Sequence, residues 1–312
     1  MRPTFARTVV ELAERDERIC GVIGDVGFGV LETFASRFPD RWLNVGVAEA
    51  NLAGVSAGLA LAGARPFMYS IANFPTLRCL EQIRNDICYN RAPVVIVGVG
   101  GGLAYGSLGA THHATEDLAV MRVLPGLTVI APADPIETEL LTRAAFALEA
   151  PVYLRLGRSG DPAVHAARPD LRIGRAVSLR DGSDVTLIAT GAITRTALDA
   201  AELLAPLGIS ARVVSMHTLK PLDVDAIREA IDRTGALATL EEHSLVGGLG
   251  SAVAEAIADH GLRPRSFLRL GLPDAFAHVI GSREHLLARA GLSAPGVARA
   301  VAEMRGAVPA SA

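Results

Sequence analysis

The chain has 312 residues, half of them hydrophobic, with 31 glycines and an aromatic content of 4%. Its length allows two domains of ordinary size, and a core of small aliphatic residues is typical of α/β layers in which helices pack closely on parallel sheets. The net charge of −3 gives no electrostatic reason to expect binding to nucleic acid or to an anionic membrane.

The N-terminal segment predicts a helix over residues 3–17, with Phe5 and Val9 on its apolar face. It carries charges throughout and lacks the apolar core of a signal peptide. The cysteines have no metal-type spacing and are most simply reduced thiols; they are Cys20, Cys79 and Cys88. We therefore expect a cytoplasmic protein without a membrane segment.

The stretch ICGVIGDVG (19–27) predicts a short apolar strand that runs into a glycine-rich turn. Asp25 lies at the end of this strand, where an open parallel sheet presents ligand-binding groups. An aspartate that caps the turn explains the same pattern equally well. Both interpretations stay open at this point.

Glu49 ends the run WLNVGVAE and stands in front of an uncharged, small-residue segment, LAGVSAGLALAG (52–63). That segment is shorter than the roughly 20 apolar residues needed to cross a membrane, so it predicts a buried helix. Its small residues, Gly54 and Ala57 among them, would let another backbone approach closely across an interface. Glu49 is then either an N-terminal cap or a functional acid in a dry site.

The sequence GVAEANLAGVSAGLALAGARPFMYSIANF (46–74) resembles the pyrimidine-binding segment of transketolase-type thiamine diphosphate enzymes. The group includes transketolase, 1-deoxyxylulose-5-phosphate synthase and the β subunits of 2-oxo acid dehydrogenases. The resemblance implies that Glu49 bonds the aminopyrimidine ring of the cofactor and activates it, which requires a buried, protonatable carboxyl. It implies further that Phe74 stacks on that ring, with Asn73 and Asp25 as weaker cofactor-binding candidates. For Phe74, an ordinary core position is the alternative.

A second motif follows in GGLAYGSLGATHHATEDLAVMRVLPGLTVIAPADP (101–135), where a glycine-rich loop leads to two histidines, a helix and a strand. This run resembles the family's GEDGPTHQ segment, and His112 matches its histidine, which handles the oxygens of the donor substrate. His113 stands at the family's glutamine position and could bond either the substrate or the loop. Leu108 and Gly100 replace an acidic residue and a histidine of transketolases, which implies a less polar donor site.

Arg155 and Arg158 lie at the end of the predicted strand PVYLRLGRSGD (151–161). They correspond to basic residues that some relatives use on a substrate phosphate, a task that suits the guanidinium fork. Arginines at a strand end are also often plain surface residues. We expect both to be substrate-binding residues.

The second half of the chain alternates predicted strands and helices, which indicates a second parallel α/β domain. We predict a pyrimidine-binding domain over residues 1–160, a linker rich in Pro, Asp and Arg over 161–175, and a transketolase C-terminal-like domain over 176–312. The run TLEEHS places two carboxylates beside His243. Acid/base work is one interpretation of that cluster, and an interdomain or solvated position is the other.

A complete transketolase is about twice as long, and its first half carries the Mg²⁺–diphosphate site. The resemblance therefore implies the pyrimidine-side subunit of a split transketolase-like enzyme. Such a subunit would bind thiamine diphosphate and Mg²⁺ together with an N-terminal partner, in an α₂β₂ assembly, with the metal ligands on the partner. The enzyme would transfer a two-carbon unit to an aldehyde.

Two alternatives remain. A decarboxylating enzyme, either a 2-oxo acid dehydrogenase β subunit or a deoxyxylulose-phosphate-synthase-like enzyme, would act on pyruvate-like donors. A non-catalytic partner that only stabilises its companion subunit would have no reason to keep Glu49, Phe74 and His112 together.

Overall fold

The computed structural model describes residues 1–158 and 160–307, which form two mostly parallel sheets covered by helices. Ser159 and residues 308–312, at the ends of the two predicted domains, lie outside the described residues. The predicted α/β class with two parallel-sheet layers is confirmed. No described helix is both long enough and apolar enough to span a bilayer.

The described strands are β1 (Ile19–Ile23), β2 (Trp42–Asn44), β3 (Arg65–Ile71), β4 (Val95–Val99), β5 (Thr128–Ile130), β6 (Val152–Leu156), β7 (Val177–Arg180), β8 (Val185–Thr190), β9 (Ala211–Ser215), β10 (Thr218–Lys220), β11 (Ala236–Ser244) and β12 (Ser266–Leu272).

The described α-helices are α1 (Arg2–Ala13), α2 (Glu32–Arg37), α3 (Glu49–Leu61), α4 (Leu80–Gln82), α5 (Asp117–Val123), α6 (Pro135–Ala147), α7 (Thr194–Leu204), α8 (Val224–Thr234), α9 (Leu249–Asp259), α10 (Arg283–Arg289) and α11 (Ala294–Met304).

The first sheet has the strand order β10-β5-β6-β4-β3-β1-β2, and the second has the order β12-β11-β8-β9-β7. Strands β3, β4 and β6 are buried almost throughout, because helices cover both faces of the sheet. Antiparallel pairing occurs at one edge of each sheet, where β10 pairs with β5 and β7 with β9.

Strand β10 departs from the predicted division of the chain, because it follows the linker in sequence but joins the first sheet. The side chain of Lys220 anchors it by donating to the carbonyl of Arg122 at 3.0 Å and to that of Leu124. The two layers are thus joined by a strand as well as by the linker.

One predicted helix contains π-helical segments. The run TLRCLEQIRNDICYN (76–90) predicts a helix, and the structure forms it with α4 as a single turn between two π-helical segments, Phe74–Arg78 and Ile83–Tyr89. A π-helical turn changes the direction of side chains relative to an α-helix and is frequent at functional sites. Here the first π-helical segment begins at Phe74.

The parallel strands of the first sheet end at one common edge, which gathers residues that lie far apart in sequence. Asp25 follows β1, Phe74 follows β3, His112 lies on the loop after β4, and Arg158 follows β6. Glu49 opens α3, shortly after β2. Open α/β sheets bind ligands at this edge.

Candidate functional site

Glu49 is the first residue of α3 and is 4% exposed. Among the described residues, one hydrogen bond reaches its carboxylate, from Nη1 of Arg78 to Oε2 at 3.0 Å. Arg78 itself is half exposed, so the pair lies at the mouth of the site. Glu49 therefore combines a buried carboxyl with unused hydrogen-bonding capacity.

Phe74 lies beside this pair and presents its ring to Arg78. The guanidinium carbon of Arg78 is 4.1 Å from the centre of the ring. The planar guanidinium of Arg78 thus contacts the face of the Phe74 ring and the Glu49 carboxylate at the same time. A flat heterocycle with a ring nitrogen fits the same two partners, which is the fit expected for an aminopyrimidine.

His112 completes the group at its other end, with its ring centre 5.3 Å from that of Phe74. It ends a 3₁₀ turn, Ala110–His112, and its Nδ1 lies 3.0 Å from Oγ1 of Thr111. The side-chain amide of Asn73 donates to the carbonyl of Thr111, while its Oδ1 is buried and has no partner among the residues that the structure describes. Asn73 therefore ties the histidine turn to the Phe74 segment.

Tyr105 also lies beside His112, with the two ring centres 6.5 Å apart. Its ring fills the space beside Gly100, where an added Cβ would come within 2.0 Å of it, and Gly100 has a φ of +73°. The position where the resemblance implies a histidine is thus a glycine packed against the ring of Tyr105. Leu108 points outward and is 52% exposed.

Asp25 is exposed and has a φ of +55°. Its amide donates to Oδ1 of Asn44 at 3.1 Å, and its Oδ1 accepts from Nδ2 of Asn44 at 2.9 Å. The Asn44 oxygen also accepts from Gly46, three residues before Glu49. This geometry gives Asp25 a turn-stabilising role, through which it orders the approach to Glu49.

His113 does not join His112, although the two are adjacent in sequence. Its side chain is 5% exposed and lines a separate, largely apolar cavity of about 300 Å³ together with Leu103, Leu272 and Leu286. Burial lowers its pKa, which favours the neutral imidazole. The predicted substrate contact of His113 would thus lie apart from the Glu49–Phe74–His112 group.

The two arginines after β6 also separate. Arg155 is buried, and its Nε and Nη2 donate to Asp117 at 2.8 and 3.1 Å and to two backbone carbonyls, so these donors serve the protein's own structure. Arg158 is exposed, lies 5.0 Å from the ring centre of Tyr105, and lines a polar cavity of about 600 Å³ with Arg2 and Arg283. Of the two arginines, Arg158 is the exposed one and lies at the cavity.

The TLEEHS cluster is enclosed. Glu241 accepts from the amides of Leu249 and Gly250 at 2.7 Å each, at the start of α9, and Glu242 bonds Leu103 and Arg283. This arrangement matches the interdomain interpretation.

Sequence reasoning missed Arg78 and Tyr105. The signal for Arg78 was its spacing of four residues from Phe74, which places two side chains on one face of a helix. Tyr105 had no comparable signal, because its position depends on the path of the loop.

Two family profiles cover most of the chain. The profile "Transketolase, pyrimidine binding domain" matches residues 1–160, and "Transketolase, C-terminal domain" matches residues 174–297.

Curated relatives match over nearly the whole chain. An apulose-4-phosphate transketolase subunit from Phocaeicola vulgatus is 39% identical over 97% of this chain and 96% of its own length. The 6-deoxy-6-sulfo-D-fructose transketolase subunit SqwH of Clostridium sp. is 37% identical, over 97% and 94%. 1-Deoxy-D-xylulose-5-phosphate synthase 1 of Geobacter sulfurreducens is 38% identical, but the match covers 46% of its length.

Solved structures agree. A split-gene transketolase, described as an inactive β₄ tetramer, has 41% identity and a TM-score of 0.90, with 98% of both chains covered. Transketolase from Leishmania mexicana has a TM-score of 0.81 at 22% identity, which shows the common fold, and the match covers 46% of that chain.

Proposed function

The chain belongs to the transketolase family, as its pyrimidine-binding and C-terminal portion, and from this premise we propose that it is the pyrimidine-side subunit of a two-component transketolase-type transferase. The family depends on thiamine diphosphate. The observation that carries the proposal is the group formed by Glu49, Phe74 and His112 at one sheet edge. It occurs in a chain that matches transketolase subunits from end to end.

Each residue has a distinct task in this proposal. Glu49 holds the ring nitrogen of the aminopyrimidine and shares a proton with it. Phe74 presents its face to the ring and Asn73 holds the histidine turn against it. His112 is placed to hold or move a proton at the oxygen of the donor. When bound, the cofactor supplies the nucleophilic carbon that cleaves the donor next to its carbonyl.

The partner is a separate N-terminal subunit that holds the diphosphate and Mg²⁺. Full-length relatives support this, because the chain matches about half of their length. We expect an α₂β₂ complex with the active site where the two kinds of subunit meet. The cytoplasm is the proposed compartment, consistent with three free cysteines.

Arg158 is proposed to bind an anionic end of the substrate. It lines a cavity together with Arg2 and Arg283, and the acidic residues Asp161 and Glu284 also line it. The curated relatives are named for a phosphorylated and a sulfonated sugar, both of which carry such an end. Replacing Arg158 by Leu should raise the KM of a ketose phosphate about tenfold, and Lys should restore part of the loss.

Reconstitution tests the reaction. The chain and its N-terminal partner, with thiamine diphosphate and Mg²⁺, are offered a ketose phosphate with an aldehyde acceptor and, separately, pyruvate with the same acceptor. Ketol transfer without CO₂ is the expected result. Release of CO₂ from pyruvate would instead support the synthase-like alternative, which the exposed apolar Leu108 and the Tyr105 ring beside Gly100 favour.

Calorimetry tests the division of the site. Titration of thiamine diphosphate and Mg²⁺ into the chain alone should show weak binding or none, and the chain alone should self-associate and be inactive. The solved β₄ relative, described as inactive, supports this expectation. Tight stoichiometric binding without a partner would place the diphosphate site within this chain and overturn the split-subunit proposal.

A further inference from the structure

The loop from Gly102 to Ala114, which we call the His112 loop, is closed at its base by a backbone bridge. The amide of Gly102 donates to the carbonyl of Ala114 at 2.8 Å, and the reverse bond measures 2.9 Å. The loop contains two 3₁₀ turns, Gly106–Leu108 and Ala110–His112, and no longer helix or strand. Its internal hydrogen bonds alone do not fix how it leaves the sheet.

Arg155 holds one side of this base. Its Nη2 donates to the carbonyl of Ala114 at 2.9 Å and to the carbonyl of Glu242 at 3.0 Å. Asp117 accepts from Nε at 2.8 Å and also from the hydroxyl of Tyr153 at 2.6 Å. Arg155 therefore joins the loop to α5 of the first layer and to β11 of the second.

Glu242 holds the other side. Its Oε1 accepts from the amide of Leu103 at 2.7 Å, although the two residues are 139 positions apart in sequence. Arg283, at the start of α10, donates to the same carboxylate at 2.9 and 3.1 Å through Nε. Glu242 is 3% exposed, so an unpaired charge here would be costly.

The glycines at the loop base make these contacts possible. A Cβ added to Gly101 would lie 2.5 Å from Nε of Arg155, and one added to Gly102 would lie 2.4 Å from Cγ of Glu242. The glycine run thus brings the loop backbone directly onto the two side chains. These close contacts explain the glycine run without a bound phosphate.

We propose that Glu242, acting with Arg155 and Arg283, is a positioning residue for His112. It carries a specific task of the C-terminal domain, which is to fix the base of the His112 loop so that the imidazole stays beside Phe74. The proposal rests on the proposed function of His112. We call the contacts of Glu242 and Arg155 with the loop base, together with the ion pair of Arg283 with Glu242, the clamp. The proposal predicts that loosening the clamp lowers turnover more than it weakens substrate binding, because a misplacement of about 1 Å can reduce a rate about 100-fold.

The test variant is Glu242→Gln in the complete two-subunit complex. Glutamine has one acceptor oxygen and no charge, so its NH₂ group must face either the Leu103 amide, which then loses its acceptor, or Arg283, which then loses its bonds to Oε2. We expect kcat to fall about 10- to 100-fold while the KM of the donor changes less than about threefold. In the isolated chain labelled with ¹⁵N at histidine and leucine, the ring resonances of His112 should shift or broaden, and the Leu103 amide should exchange faster with solvent.

Glu241→Gln is the matched control, because Glu241 is a buried carboxylate on the same strand that bonds α9 and not the His112 loop. It should leave the His112 resonances and the ratio of kcat to KM near wild type. Glu242→Asp, which keeps the charge but shortens the side chain by one methylene, is the milder second variant if Glu242→Gln folds poorly. It should act in the same direction with a smaller fall in kcat.

Failure of the clamp proposal and failure of the proposed function give different results. Wild-type kcat and His112 resonances in Glu242→Gln, or equal changes in Glu241→Gln, would overturn the clamp. An inactive wild-type complex would refute the proposed function instead, while the His112 and Leu103 signals of the isolated chain would still decide whether the clamp holds the loop.

Discussion

Two groups of buried carboxylates can be compared directly, one at Glu49 and one at Glu241 and Glu242. Their burial is nearly the same, at 4% exposure for Glu49 and 0% and 3% for the other two. Their surroundings differ. Glu241 and Glu242 are fully engaged by backbone amides and Arg283, whereas Glu49 has one partner whose side chain is half exposed.

Large apolar side chains are exposed close to Glu49 in sequence and on its neighbouring segments: Val47 two residues before it, Leu77 beside Arg78, and Phe28 in the loop after β1. Exposed apolar patches of this kind mark surfaces that another molecule covers. The comparison teaches that burial of a carboxylate does not by itself indicate function. A buried carboxylate indicates function when it has unused hydrogen-bonding capacity and lies beside exposed apolar surface.

Glu49→Gln should give the largest loss of activity, and it tests whether the Glu49 group differs in function from the Glu241 and Glu242 group. In the reconstituted complex we expect transfer activity to fall by roughly 10²- to 10⁴-fold, the range for loss of a positioned acid or base. The melting temperature should stay near wild type. Steady-state kinetics and thermal melting of the same preparation check both, and near-wild-type transfer would rule out Glu49 as the activating acid.

Glu241 should instead control stability and its dependence on pH. Burial raises its pKa from 4.5 to about 7, against the lowering effect of the Gly250 and Leu249 amides. The folded state then binds more protons than the unfolded state between these values. The free energy of unfolding should therefore decrease as pH rises from about 4.5 to about 7, by an amount on the order of 3 kcal/mol.

Glu241→Gln should remove this slope and cost about 1–3 kcal/mol at low pH, because one of the two amide bonds is lost. Urea unfolding at pH 5 and at pH 8 measures both effects. The charged and titratable neighbours are His243, Arg155 and Arg269, so a His243→Gln variant serves as the control. An unchanged slope in Glu241→Gln would assign the titration to another group.

Helix α3 offers a matched pair that tests which of its faces another subunit covers. A side chain added at Gly54 meets nothing within 4 Å, while Ala57 is 2% exposed and packs in the chain's own core. The sequence pattern predicts both small residues at one interface with another subunit. For Ala57 that interpretation is wrong, because its side of the helix is already covered by the chain's own core.

Gly54→Leu should therefore raise the dissociation constant of subunit assembly at least about tenfold, equivalent to about 1.4 kcal/mol, with little change in the subunit's own stability. Ala57→Leu should reduce that stability by about 1–3 kcal/mol through overpacking. Sedimentation and urea unfolding distinguish the two. Equal losses of assembly in both variants would contradict the assignment of the faces.

Much of the site was predictable from sequence because its residues lie in two contiguous motifs. Glu49, Phe74 and His112 each follow a strand of one parallel sheet, and such strands end at a common edge. What could not be predicted depends on side-chain direction. His112 and His113 are neighbours that point into different spaces, and Arg155 and Arg158 are three positions apart, an odd spacing that favours opposite sides of an extended segment.

The same limit on prediction from sequence applies to the second half of the chain. Strands and helices of residues 176–312 were predictable from their alternation, but the pairing of β10 with the first sheet was not, because three residues carry too little pattern. The contact of Glu242 with Leu103 joins residues 139 positions apart and has no local signal.

Phe74→Leu should give the smallest effect and tests whether the aromatic face matters beyond its bulk. Leucine keeps apolar volume but removes the face that Arg78 now covers at 4.1 Å. Aromatic pairing contributes about 0.5–1.5 kcal/mol beyond buried area, which corresponds to a rise of about 2- to 12-fold in the dissociation constant of thiamine diphosphate. Phe34→Leu is the control, because Phe34 is fully buried against Phe67 and Trp42, away from Glu49. It should lower the melting temperature and leave cofactor affinity unchanged. Calorimetric titration of the assembled complex measures the affinity, and an equal rise in both variants would mean that Phe74 serves the core and not the ligand.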